Sequence, residues 1–137
     1  EGMEMVQALM QRLQQDPDDV AVLMQLGGSF LRMGQTERAV GFYRRATEAA
    51  PDDADDADAW RGLGMALFSA EAFPEAAEVL QRIIELDPAD MAAQYNLGIV
   101  YKYYLERPAD AEPHFRTVAE AGGADAELAD KARKELE

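Results

Sequence analysis

Five aspartates crowd the stretch PDDADDADA, at Asp52, Asp53, Asp55, Asp56 and Asp58, and carboxylates at that density could ligate a hard cation. The order is wrong for a calcium loop, because the alternating Asp-x-Asp-x-Asp-Gly pattern and the distant Glu are both missing. A solvated loop with an N-capping Asp is expected there, and no metal site is assigned. His114 is the only histidine. No Ser, Cys or second His is spaced around it as a relay would require, so it is expected at the surface or between helices. No catalytic residue and no cofactor follow from these side chains, and the chain reads as a non-enzyme. The remaining candidate is YNLGIVYKYY, residues 95–104, which holds four of the five tyrosines. Rings of this kind anchor interfaces more often than they carry out reactions.

Something must position those rings, and composition limits what it can be. The chain has 137 residues, 48% of them hydrophobic, enough for one sizeable core. Its 13 basic and 27 acidic residues leave a formal charge of -14. That charge repels a phosphate backbone, so nucleic acid is not expected as a partner. No run reaches the roughly 18 apolar residues of a membrane span, and no signal-peptide order precedes the first helical stretch, so these residues are not expected to insert into a membrane. Cysteine is absent, which fits a cytoplasmic or a periplasmic location equally. The chain starts abruptly in helical rhythm, with Met3, Val6, Met10 and Leu13 on one face. An excised fragment would begin this way, with an anchor or signal upstream of it.

Self-similarity organises the rest. Leu26-Gly27, Leu63-Gly64 and Leu97-Gly98 recur, as do Pro17, Pro51 and Pro88. Aligned on the Leu-Gly pair, the first copy reads Leu23, Leu26, Gly27, Phe30, Ala39, Tyr43, Ala46 and Pro51. The second reads Trp60, Leu63, Gly64, Leu67, Ala76, Leu80, Ile83 and Pro88, at identical spacing. The third keeps Leu97, Gly98 and Tyr101 but has Gln94 where a large apolar residue is usual. Its second half, Ala111 and Phe115, aligns only after one extra residue in LERPAD.

Each unit holds two apolar patterns at three- and four-residue intervals, broken at RMGQT, AFPEA and ERPAD, so each is a helix hairpin. Thr36 is placed to cap a helix, Pro74 to open one, and Pro51 and Pro88 to follow helix ends. Gly27, Gly64 and Gly98, with Ala39, Ala76 and Ala111, lack bulk where two helix axes approach, and larger residues fill the space beside them.

These residues resemble the tetratricopeptide repeat, whose 34-residue pattern is W-x2-L-G-x2-Y, then A-x3-F, then P. The resemblance covers residues 20–123 and implies an all-α, right-handed superhelical solenoid of about eight helices in a single domain. Its expected parts are an N-terminal packing helix over 1–16, equivalent to half a repeat, then repeats over 20–53, 57–90 and 91–123. A capping helix over 124–137 completes it, with Leu128, Ala132 and Leu136 on one face.

Within that frame the tyrosines form two stripes. Leu97, Tyr101 and Tyr104 share the core side of their helix, whereas Tyr95, Ile99, Lys102 and Tyr103 lie nearly opposite, which leaves Tyr95 and Tyr103 surplus to folding. In the family's arrangement the second stripe lines a concave groove. The same register gives Met24, Gly28, Leu31 and Arg32 in the first repeat, and Arg61, Met65, Phe68 and Ser69 in the second. The candidate binding groove is therefore Met24, Gly28, Arg32, Arg61, Met65, Phe68, Tyr95, Ile99, Lys102 and Tyr103, apolar and aromatic with a basic edge. The alternative is that a terminal helix folds into the groove and covers it.

Some family members clamp a peptide's terminal carboxylate with groove Lys, Asn and Arg. Met24 and Gly28 stand where the first of those residues would be, so that clamp is not reproduced. Asn96 matches a common family residue. The resemblance implies a non-catalytic module that holds an extended or helical segment of a partner protein. The alternative is a scaffold that self-assembles through its repeat ends or groove, and neither reading assigns an oligomeric state. A narrower similarity joins LMQRLQQDPDDVAVLMQLGGSFLRMGQTERAVGFYRRA to the repeat portion of bacterial periplasmic cytochrome c biogenesis proteins, which would make the ligand an apocytochrome segment or a haem lyase partner.

Overall fold

The computed structural model describes residues 2–49 and 57–137. Asp52, Asp53, Asp55 and Asp56, with Pro51, lie outside the described residues. Among the described residues there are eight α-helices and no strand. They fall into two compact units, Glu1–Ala72 and Phe73–Glu137.

The first unit holds α1 (Gly2–Gln15), α2 (Val20–Arg32), α3 (Thr36–Ala49) and α4 (Ala57–Ser69). Helix α1 buries Val6, Leu9 and Leu13 and leaves Met3 and Met10 outside. The packing row is thus one step from the one expected through Met3 and Met10, and Leu9 is what moves it. Asp19 caps α2, its carboxylate accepting from the Val22 amide at 3.2 Å and satisfying one of the orphan first-turn donors. Thr36 is the first helical residue of α3, not its cap. Gln35 takes the cap position, its carbonyl accepting from the Ala39 amide at 3.1 Å. Arg45 of α3 reaches back to the Pro17 carbonyl at 3.2 Å, tying α3 to the turn before α2.

Tyr43 shows why the glycines are needed. A Cβ built on Gly27 would sit 2.8 Å from its Cε2, and one on Gly62 would sit 2.2 Å from its Cε1. The ring is therefore held between bare backbone of α2 and bare backbone of α4. What faces Gly27 is this ring, supplied by the A-x3-F position of the repeat. Burial raises the Tyr43 hydroxyl above its ordinary pKa, with the Arg32 charge opposing.

The second unit holds α5 (Phe73–Leu86), α6 (Met91–Ile99), a π-helical turn (Val100–Tyr104), α7 (Pro108–Ala119), a short 3-10 turn (Gly123–Asp125) and α8 (Ala126–Glu135). Asp90 caps α6 as Asp19 caps α2, accepting from the Ala93 amide at 3.0 Å. Pro74 and Pro108 both lie in first turns, where a missing N–H is without cost. Phe115 repeats the aromatic-on-glycine contact. A Cβ on Gly98 would meet its ring at 2.8 Å.

The extra residue of the third repeat lies inside the helix and not in the loop LERPAD. Each first helix ends on a residue with left-handed backbone: Gly34 (φ 78°), Glu71 (φ 60°) and Glu106 (φ 54°). Counted from the Leu of the Leu-Gly pair, these are eight, eight and nine residues on. The π turn takes up the ninth, its Leu105 amide reaching five residues back to the Val100 carbonyl at 3.0 Å. Residues beyond it are turned back by one position. Tyr104, expected beside Leu97 in the core, is instead 45% exposed and stacks on Phe73 with ring centroids 4.2 Å apart.

Candidate functional site

In the first unit the groove candidates lie on α2 and α4, which contact one another. Met24 and Gly28 are half-buried and Arg32 is exposed, its guanidinium donating to the Ser29 hydroxyl at 3.3 Å. On α4, Met65 is 60% exposed and Phe68 38%, three residues apart on one face. Arg61 precedes them by one turn and pairs with Asp58 at 2.9 Å. Large apolar side chains held outward next to each other are the kind of surface that soluble proteins reserve for contacts.

In the second unit the candidates behave differently. Tyr95 and Ile99 are half-buried against a cluster of Ala111, Phe115, Val118 and Ala132, and Tyr95 meets Phe115 edge-on at 5.7 Å. Tyr95 is therefore not surplus to folding, because α7 and α8 bring a core to the side of α6 that the repeat pattern alone leaves open. Lys102 donates to the Glu135 carbonyl at 2.9 Å and to its carboxylate at 3.0 Å. Tyr103, 55% exposed, donates its hydroxyl to the same carboxylate. A cation at the last turn of α8 also complements the helix dipole.

Ionisation follows this geometry. The hydrogen bond to Glu135 raises both Lys102 and Tyr103 above their ordinary values. Burial alone would raise Glu135, but the hydrogen bonds from Tyr103 and Lys102, with the Lys102 charge, bring it below. Tyr95 is raised, first by burial and then by the Glu135 charge. The basic edge expected from Arg61 and Lys102 is thus neutralised within the chain.

Tyr101 is half-buried rather than sealed in the core, and it touches the hydrophobic clusters on both sides of the π turn. Its ring stacks on His114 at 5.8 Å and carries the Arg107 guanidinium at 5.0 Å. His114 lies between helices, hydrogen-bonded through Nδ1 to the Gln94 amide oxygen at 2.8 Å, and burial lowers its pKa. That pair accounts for the unusual Gln94. Leu23 and Trp60 stand at the corresponding positions of the first two repeats, and the third repeat has instead a polar couple that satisfies itself. Among the described residues no group of three or more His, Asp or Glu is placed to hold a metal ion, and no helix is long and apolar enough to cross a membrane.

The sequence matches the tetratricopeptide repeat family over residues 7–54, 29–91 and 71–101. The chain belongs to the tetratricopeptide repeat family. Its fold class is the one expected, an all-α helical-repeat fold. The crystal structure of MamA is similar at a TM-score of 0.73 and 25% identity, over 96% of this chain and 82% of that one. MamA 41-end from Desulfovibrio magneticus RS-1 has a TM-score of 0.74 at 24% identity, over 87% of this chain and 65% of that one, and speaks to the fold alone. A peroxisomal targeting signal receptor from Candida albicans (strain SC5314 / ATCC MYA-2876) is 30% identical over 81 residues, which are 59% of this chain and 13% of the receptor. The chain therefore spans only a small part of that relative. Tetratricopeptide repeats generally bind protein partners.

Sequence reading missed Gly62, which no repeat pattern marks, and Glu135, which sits 33 residues from Lys102. A glycine directly before the Leu-Gly pair was the one available signal for the first, and a glutamate in the last turn of a capping helix for the second.

Proposed function

We propose that this tetratricopeptide repeat protein is a non-catalytic binding module that holds a segment of a partner protein against α2 and α4 of its first unit. The observation that carries the reading is the outward pair Met65 and Phe68 on α4, beside α2 with Met24, Gly28 and Arg32. A flexible thioether next to an aromatic ring adapts to an apolar side chain of a ligand, and Arg32 supplies a charge at the border. The similar receptor, whose name describes recognition of a targeting signal, supports the same class of role. The narrower idea of cytochrome c biogenesis rests on the phrase around RLQQDPDD alone and adds no residue to the site.

A photo-crosslinking amino acid at position 65, compared with one at exposed Gly41 on α3, tests the reading. The expected outcome is a partner adduct from position 65 only. Equal adducts from both positions would contradict it.

The alternative, self-assembly, is favoured by a different observation. Met3 and Met5 are 55% exposed, Met10 39% and Met33 38%, and a cleft of about 370 Å³ between α1 and α2 is lined by Gly2, Met5, Ser29, Arg32 and Met33. A molecular mass that rises with concentration, and falls in Met5→Ser, would favour it.

A further inference from the structure

Helix α8 is a ten-residue helix that buries only two alanines completely, Ala129 and Ala132, with Leu128 packed partly against the same cluster. Little apolar area secures it, and a helix of that length is marginal without tertiary support. It follows Gly122 and Gly123, the latter at φ 66°, and a single 3-10 turn. Its last turn is held by side chains at the π turn: the Lys102 ammonium reaches both the Glu135 carbonyl and its carboxylate, and the Tyr103 hydroxyl reaches the carboxylate as well. The π turn is what sets the third repeat's helix apart from those of the other two repeats.

We infer that α8 occupies, within the chain, a surface of α7, α6 and the π turn that receives a helix of a partner protein, and that the partner's helix resembles α8. The surface is Tyr95, Ile99, Lys102 and Tyr103, with Phe115 and Val118 of α7. The ligand it fits is a helix with alanine-sized residues on one face and a glutamate in its last turn, because the occupant in place has that chemistry. Binding therefore requires α8 to leave, and the weak apolar hold of α8 makes it the element of this unit that opens most readily. This rests on the reading that the protein binds a segment of a partner, and it adds a surface of the second unit for which a helix of the chain competes.

The probe is a fluorescein-labelled peptide of residues 123–137 of this chain, titrated against the 137-residue chain. In the parent, α8 in place keeps peptide affinity low. Glu135→Ala should raise amide exchange in α8 and strengthen peptide binding by about 10-fold, the scale of a charge-assisted hydrogen bond. Adding Lys102→Ala and Tyr103→Phe to that variant should remove the gain, as should a Gln in place of the peptide's own Glu135. Peptide affinity that ignores Lys102 would overturn the inference, and so would α8 exchange unchanged in Glu135→Ala. A parent chain that doubles its mass at raised concentration by exchanging α8 would assign the surface to a second copy and overturn the partner reading. No native partner is needed, so failure here is distinct from failure of the crosslinking test at position 65.

Discussion

In the first repeat, Phe30 and Phe42 stack with centroids 5.5 Å apart and Arg38 lies over Phe30. In the third, the equivalent positions are Tyr101 and His114, stacked at 5.8 Å with Arg107 over the tyrosine. The geometry repeats while the chemistry changes from apolar to polar. Likewise Tyr43 rests on Gly27 and Phe115 on Gly98. The repeat therefore specifies where rings and bare backbone meet, and tolerates exchange of the rings themselves. It also tolerates one inserted residue, provided a π turn absorbs it before the left-handed residue that ends the helix. The cost of that insertion is local, falling on Tyr103 and Tyr104. Their new positions allow the contacts with Glu135 and Phe73.

If the two hairpins share one packing code, removing the ring should hurt both alike. Tyr43→Ala and Phe115→Ala, at 8% and 1% exposure, should each cost about 3–5 kcal/mol in denaturant unfolding. A marked inequality would mean that one ring is not held as the other is.

The next largest effect should come from Gly62, where an added methyl would stand 2.2 Å from Tyr43. Gly62→Ala should cost about 1–3 kcal/mol by overpacking. Gly41→Ala, with nothing within 4 Å, should instead gain about 0.5–1 kcal/mol from helix propensity. Opposite signs at two helical glycines would show that close approach, and not glycine content, is what α2 and α4 require.

A smaller gain is expected at Glu106. The first repeat uses Gly34 at this left-handed position and the third uses a glutamate, so Glu106→Gly should stabilise by up to about 1 kcal/mol. Thermal melting would read it. A loss would place the π turn's end elsewhere than the alignment of the left-handed residues does.

The smallest effect is the pH response of α8. Glu135 lies below its ordinary 4.5 in the folded chain, so its contribution is present above 4.5 and is lost as pH falls through the folded value. Lys102 and Tyr103 lie above 10.5 and 10.0, so theirs is present below those values and is lost as pH rises through the folded ones. His114, lowered by burial, adds a separate loss as pH falls below 6.5. Helix content followed by circular dichroism should decline at both extremes. Glu135→Gln should erase the step below 4.5 and leave the one attributable to His114.

The hairpins were legible in the sequence because each rests on local signals: Leu-Gly pairs, a proline at a helix opening and apolar residues at three- and four-residue intervals. Fold class follows from that repetition. The parts of the site that were not legible depend on choices periodicity does not make. Two neighbouring apolar rows of α1 fit helical spacing equally, and packing selected the one through Leu9. The extra residue was countable, but only hydrogen bonding decides between a longer loop and a π turn. Tyr95 was read as surplus because the core it joins comes from α7 and α8, and the Lys102–Glu135 pair spans 33 residues that share no pattern. Met65 and Phe68 were reachable because exposure on a first helix follows from helix phase alone.

The central claim is that Met65 on α4 is held outward for a partner and not for the fold. The most direct measurement is calorimetric affinity for the partner that co-purifies with the chain from its native organism, using the parent and Met65→Ser, alongside the melting of each. The account predicts affinity weakened by at least about 10-fold, the scale of a lost interface anchor, with melting essentially unchanged. Affinity equal to the parent's, or a loss that merely follows a fall in melting temperature, would contradict it.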